Sequence, residues 1–502
     1  MENLDSALPR GLMFEDPQRA VLSTRRTVSV KPTTGTKIEN ASSQDIIQFR
    51  LPNTGVLAGC YLKGRIDPLT ITAGTTTTNT FGVDSALQDP YAPAASWVRR
   101  MVVKASDGTE LSNVNNYHRY CSIMGRFKND KGWSENQGSI LEHTPTGEHI
   151  PIVDAAYNQD IIDQTPTADL AASSVGISLC RQFDSNFKRQ ITGTGARDFV
   201  HQFETGILAG NKAEEYMLPL ALMGSGMNLE LTCADVGEVF RLSTRVSATV
   251  GASSLDLHPA VGASLSGYKL SDLELVCDLV FYPPEIMANL AQKMCNGLKI
   301  VVDNVRQQQN PVSQQENTII LNQHARSVKS IVAGVKNSTD ANNIRRDEGE
   351  YYYRPSASGS ALKSVQFSVG SEQCPANAIS FGAQSYHEFE KALKPVVGED
   401  FKMGNQIGRH DYLKTYRADT AGLGAGGAGV MPGSCLFGIN LQSHPEMPDV
   451  LSGKSASAGS IPISMNLEFD GGTALGSAVV ETFVVSDSVI ELLADGSALV
   501  SK

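Results

Sequence analysis

The stretch 271–303, SDLELVCDLVFYPPEIMANLAQKMCNGLKIVVD, constrains the chain most, because its pattern demands two strands separated by a short helix. Leu273, Leu275, Cys277, Leu279 and Phe281 alternate with Glu274 and Asp278, the period of two that marks a strand with one buried face. Pro283 and Pro284 end that strand and preset a helical turn; Glu285 suits the positive end of a helix, Lys293 the negative end, and Asn296-Gly297 a stop. The stripe of Ile286, Met287, Leu290, Ala291 and Met294 lies on one helical face. A helix of about three turns is marginal alone in water, so docking through Ile286, Leu290 and Met294 is expected to hold it. Leu298, Ile300 and Val302 then open a new alternating strand. The reading is a helix over 283–297 that joins two tandem β-domains, 41–282 and 298–502, the second including a C-terminal tail.

Length and composition agree. A chain of 502 residues accommodates two β-domains of roughly 200 to 250 residues. With 45 Gly, 22 Pro and only 19% charged residues, it favours strands and loops over helical bundles. The eight cysteines include no CxxC pair and read as small core residues of a chain matured in a reducing compartment. The N-terminal sequence lacks the apolar core of a signal peptide, and no window approaches the 18 or so apolar residues of a membrane span, so a non-secreted, soluble chain is expected. A net charge of −11 argues against wrapping nucleic acid over a broad surface.

Residues 1–40 show no sustained period, but 18–38 carry Arg19, Arg25, Arg26, Lys31 and Lys37 with no acid among them. They read as a basic N-terminal arm, either a disordered terminus or a segment that orders on assembly. In the first domain strands are expected at 46–51, 56–66, 97–104, 199–208, 216–222 and 227–233, with a short helix at 116–124 and long polar loops at 127–174 and 243–266. The second repeats the order, with strands at 298–305, 318–321, 328–335 and 365–369 and a helix at 385–393. The helices pair Tyr117 with Tyr386, His118 with His387, Tyr120 with Phe389 and Met124 with Leu393. Further on, MNLEL at 227–231 finds a counterpart in MNLEF at 465–469. Two matches in the same order argue for internal duplication.

No catalytic constellation is apparent. GLGAGG at 422–427 has the GxGxxG spacing without a leading strand, and Met431-Pro432-Gly433 blocks the helix that would hold a phosphate. Gly453-Lys454-Ser455 resembles the end of a P-loop whose first glycine would fall on Pro448. None of the nine histidines forms the HxH pair of a cupin; His143 and His149 lie in a polar loop, and His118 and His387 are expected to pack or to hydrogen-bond locally. Ser225 lacks nucleophile-elbow spacing. The expectation is no catalytic, cofactor or metal site, and no cofactor.

The arrangement resembles the double jelly-roll major capsid proteins of tailless icosahedral double-stranded DNA viruses, the bacteriophage–adenovirus lineage. The resemblance is carried by Leu218-Pro219-Leu220 before MNLEL, by SDLELVCDLVFY with its helix, and by GLKIVVDNVRQQQ opening the second half. Asn322-Gln323-His324, Phe437-Gly438-Ile439-Asn440, Ser452-Gly453 and MNLEF extend it over about residues 40–495. The ending ETFVVSDSVIELL departs from the giant-virus branch, which favours the polinton-like virus and virophage branch.

The resemblance implies an all-β fold of two tandem eight-stranded antiparallel jelly rolls. It implies three chains forming a pseudo-hexagonal homotrimeric capsomer that tiles a shell enclosing DNA. Implied partners are neighbouring capsomers, a single jelly-roll vertex (penton) protein and minor capsid proteins. An inner contact of the arm with genome or membrane is also implied, and a location in the virion after synthesis in the host cytoplasm or a viral factory. Two other readings are a glycan-binding β-sandwich of a fibre or spike, with Tyr351–Tyr353 beside Asp347 and Glu348 as its one candidate site, and a bicupin metalloenzyme, which fails on histidine spacing.

Overall fold

The computed structural model describes residues 23–69, 71–72, 84–89, 91–130, 133, 137–142, 197–209, 217–224, 226–244, 264–295, 297–322, 325–340, 349–356, 360–397, 407, 409–413, 416, 433–444, 451–456, 462–471, 475, 478–493 and 497–501. The first half supplies β1 (Thr24–Val30), β2 (Ile46–Arg50), β3 (Val56–Pro68), β4 (Val98–Lys104), β5 (Glu110–Asn115), β6 (Arg197–Gln202), β7 (Asn228–Cys233) and β8 (Tyr268–Phe281). The second supplies β9 (Leu298–Val312), β10 (Glu316–Leu321), β11 (Val328–Asn337), β12 (Leu362–Val369), β13 (Glu372–Ser380), β14 (Leu436–Asn440), β15 (Ile463–Phe469) and β16 (Ala478–Leu492). Helix α1 (Tyr117–Lys128) follows β5, α2 (Pro284–Cys295) links the halves, and α3 (Ala383–Val397) follows β13.

The sheets run β1-β8-β3-β6 and β2-β7-β4-β5 in the first half, and β9-β16-β11-β14 and β10-β15-β12-β13 in the second. Each of β1–β8 has its counterpart eight places later, and each half is built on an eight-stranded jelly roll of two four-stranded antiparallel sheets; the first half adds two short strand pairs, 84–87 with 241–244 and 71–72 with 264–265. The duplication read from the two short motifs therefore extends to the whole topology. MNLEL and MNLEF fall on β7 and β15, each second in its sheet: Leu229 faces Phe49 across one pair, and Met465 faces Ile319 across the other. A short fifth strand, Ala498–Ser501, extends the β16 sheet.

The alternation in 271–281 becomes the buried face of β8, where Leu273, Leu275, Cys277 and Leu279 are buried among the first roll's core. Gly297 closes α2 because its φ of 78° is costly for other residues and a Cβ there would collide with the Glu491 carboxylate. One expected strand is absent: 216–222 gives a single bridge from Leu218 to Leu57 and a tight turn at Leu220–Leu222, with Pro219 lacking the N–H that a ladder requires. Conversely, β5 and β13 were not legible, the latter because EQCPANAIS has a proline and a single buried side chain, Ile379.

The region expected to be an irregular arm through residue 40 is, from Thr24 to Val30, the first strand of the first roll. It pairs antiparallel with the closing strand from Thr24 opposite Phe281 to Val30 opposite Leu275. Its counterpart β9 pairs with β16 in the same way. Local pattern missed β1 because six of its seven residues are exposed; the partner's edge, rather than apolar alternation, makes it a strand.

Candidate functional site: the seam between the rolls

The strands at the centre of the second roll's inner sheet have no solvent face. All ten residues of β11 are buried, as are the central residues of β16. Ile331, Ala333, Val335 and Val484 point into the second roll, while Val332, Phe483 and Val485 join the cluster that fills the first roll. Helix α1 makes the connection. Its residues Tyr117 to Phe127 are all buried, with the Tyr120 ring centroid 6.1 Å from that of Phe483 and Phe127 edge-on to Phe389 of α3 at 4.6 Å. Gly125 permits the close approach of the helix to the Tyr91 carbonyl, which a Cβ would strike.

Buried charged groups gather at this seam, and one of them bonds across it. Arg126, wholly buried, donates to the carbonyls of Gly349 (2.6 Å) and Gly433 (3.1 Å) and to the Ser434 hydroxyl (3.1 Å), all from the second half. Its guanidinium also lies over the rings of Tyr91 and Tyr351. Glu481 on β16 meets Lys336 at 3.2 Å and accepts from Gln307, Gln309 and the Tyr351 hydroxyl, each at 2.9 Å. Burial alone would raise that carboxyl, but Lys336 and Arg119 of α1 outweigh it and hold it at about 2. A second buried group joins Lys329 to Asp303 and to Asp487, the latter at 3.2 Å, with Ser327 donating to Asp487 at 2.5 Å. An uncompensated charge here would be costly, so these pairs hold the second roll's inner sheet in register at the seam, while Arg126 is the buried charge that bonds from the first half to the second.

None of Arg119, Arg126, Lys329, Lys336 or Glu481 was singled out from the sequence. Their common signal is a charge inside an otherwise apolar strand or helix face, which gains meaning only with its partner. Tyr351 and Tyr352 belong here too: each is 1% exposed, so neither offers a ring face on which a sugar would stack, whereas Tyr353 is half-buried.

The other sequence candidates are dispersed. Arg19 lies outside the described residues, as do His143, His149, Ser225, Asp347, Glu348 and the 422–427 glycines. Arg25 is tied to Asp278 of β8 at 2.6 Å, Arg26 sits over the Phe281 ring at 5.6 Å, Lys37 pairs with Glu39, and Lys31 is exposed. The basic run, free of acids in sequence, thus acquires acidic neighbours in the fold. On α2 only Met294 is buried; Ile286 and Leu290 stay half-exposed, because the helix meets the body chiefly where it enters β9. The expected docking of the whole stripe is corrected to docking of its last turn.

His118 is buried on α1 and held well below the usual histidine range by that burial, whereas His387 on α3 is exposed and 3.8 Å from Glu390. The two do not meet as a pair. Among the described residues no three His, Cys, Asp or Glu side chains cluster as a metal site would require, and no helix is long and apolar enough to cross a membrane.

Two eight-stranded rolls in tandem, fused along a buried seam, define the double jelly-roll class of fold. No protein-family model matches the chain, and no curated protein matches it in sequence. Among solved structures it is similar to the Faustovirus major capsid protein, with a TM-score of 0.55 and 10% identity over 96% of this chain and 92% of that one. It is also similar to a chain of the PBCV-1 virus capsid, with a TM-score of 0.51 and 9% identity over 98% of this chain and 99% of that one. At these identities the likeness is one of fold, and it expresses no preference between the branches of the lineage.

Proposed function

We propose that this chain is a major capsid protein, three copies of which form a pseudo-hexagonal capsomer that tiles an icosahedral shell around DNA. The observation that carries the proposal is the seam: two equivalent rolls are fixed side by side by the buried helix α1, through Tyr120 against Phe483, Phe127 against Phe389, and the hydrogen bonds of Arg126. Such a unit is one third of a six-barrel ring, and a closed ring of identical heterologous contacts needs three of them. The solved proteins with this fold are described as capsid proteins rather than enzymes, which supports a structural role and a place in the virion. Partners would be neighbouring capsomers, a vertex protein and minor capsid proteins, and residues 1–22 remain the candidate for an inner contact with genome, membrane or neighbouring subunits. We assign no reaction to the chain.

The test is the oligomeric state and shape of the purified full chain. Light scattering at the mass of three chains, with three-fold, roughly hexagonal particles in negative stain, is the expected result. A monodisperse monomer at micromolar concentration would sink the capsomer reading.

A further inference from the structure

The inner sheet of the second roll brings a lysine and two aspartates together from three neighbouring strands. Asp303 of β9 and Asp487 of β16 stand directly opposite each other in the ladder, a placement in which like charges repel. Lys329 comes from β11, where the pairing with β16 slips between Val328 and Ser330, and a bulge of this kind re-aims the side chain it carries. The lysine side chain is fully buried; its Nζ contacts Oδ1 of Asp303 and lies 3.2 Å from Oδ1 of Asp487. The two aspartates differ. Asp303 keeps 15% of its side chain exposed against 2% for Asp487, and among the described residues nothing hydrogen-bonds to Oδ1 of Asp487. Its other oxygen accepts from the Ser327 hydroxyl at 2.5 Å, which in turn accepts from the Gly453 N–H at 2.8 Å. Only glycine allows that approach, since a Cβ at 453 would strike the Val328 carbonyl and the Ser327 Oγ.

We propose that Lys329 and Asp487 condense to an isopeptide bond, with Asp303 as the proton relay, so that a covalent staple joins β11 to β16. One ammonium proton moves to the Asp487 carboxyl, leaving Nζ with its electron pair. Nζ attacks Cγ; Asp303 takes a second proton from the nitrogen and returns it to the departing hydroxyl. The Nζ–Cγ bond forms, a Cγ–O bond breaks, one water leaves, and Asp303 ends as the carboxylate it began as; nothing is oxidised or reduced. The Ser327 hydroxyl stabilises the negative oxygen that develops on Asp487. Asp487 is the acceptor because it is the more buried and is held by Ser327, and Asp303 is the relay because its partial exposure gives protons a path to solvent. The product replaces a buried ion pair, whose desolvation is costly, by a neutral amide, and removes the repulsion between facing carboxylates. It restrains the unfolded chain as a disulfide does, in a protein whose described cysteines are all free. Lys336 and Glu481 have no such outcome: Gln307, Gln309 and Tyr351 surround that carboxylate in place of a second one, so the pair stays ionic.

The test is mass spectrometry of the purified full chain. The intact protein should be lighter than its sequence by one water, and a tryptic digest should yield residues 327–336, uncut after Lys329, joined to residues 455–502. Folded protein of full sequence mass that releases 327–329 and 455–502 as separate peptides overturns the proposal. A link to 300–306, the peptide that carries Asp303, overturns the assignment of acceptor and relay. Lys329→Met removes the nucleophile and should restore the full mass; water loss that persists in this variant is cyclisation of an aspartate on its own backbone and counts against the bond. Asp303→Asn keeps the shape and should slow linking in freshly expressed chain by roughly 10²-fold, whereas linking at the wild-type rate overturns the relay. Should either variant fail to fold, the wild-type peptide map decides alone.

Discussion

Replacing Glu481 by Gln removes one charge from the seam while keeping the side chain's size. The wild-type carboxyl is wholly buried, 3.2 Å from Lys336, and held at about 2 against an ordinary 4.5. That displacement corresponds to about 3 kcal/mol, which agrees with the ~3–5 kcal/mol typical of removing one partner from a buried pair. The sign follows from the direction. Because the folded carboxyl is the more acidic, its contribution is fully present above 4.5 and is lost as pH falls from there towards 2. Urea unfolding at fixed protein concentration should place Glu481→Gln about 3 kcal/mol below wild type at pH 7. Near pH 3 the difference should shrink to roughly half. Glu481→Gln with Lys336→Met should recover much of the loss, since neither charge is then left alone and the two sites are in contact. A deficit below about 0.5 kcal/mol at pH 7, or one that does not change with pH, would refute the claim that this buried ion pair stabilises the second roll's inner sheet.

Three further outcomes are expected. Met294→Asp places an unpaired carboxylate in the core at the root of α2 and should cost several kcal/mol, whereas Leu290→Asp, on the half-exposed part of the stripe, should leave soluble folded protein; equal losses of melting temperature would show the whole helix to be docked. Deleting residues 1–22 removes none of the contacts described and should leave the fold unchanged, but deleting 1–36 strips β1 from β8 and should lower stability and promote aggregation at the opened edge, as read by thermal melts and light scattering. His201 is buried, lies 2.9 Å from the Tyr117 hydroxyl, and is held at about 4 by burial. Its folded value is below its ordinary 6.5, so stability should fall as pH drops from 6.5 to 4, and His201→Gln should flatten that part of the profile; an unchanged slope in the variant would assign the acid sensitivity elsewhere.

The sequence by itself determined the tandem β architecture and its repeat. Alternation along 271–281 marked β8 because one face of that strand meets the core and the other meets polar surroundings, and the proline, glycine and charge signals bounded α2 to within two residues. The matched helices and the MNLEL and MNLEF strands located the duplication because equivalent positions in the two rolls bury equivalent side chains. Tertiary structure decided what lies against what. TRRTVSV is a strand only because β8 offers it an edge; β11 and β16 lose their polar face only because α1 and α3 cover it; Arg126, Lys329 and Glu481 are tolerated only because each meets partners far away in sequence. Local pattern records whether a face meets water or apolar surroundings, and a strand covered on both sides, or on neither, carries no alternation to read.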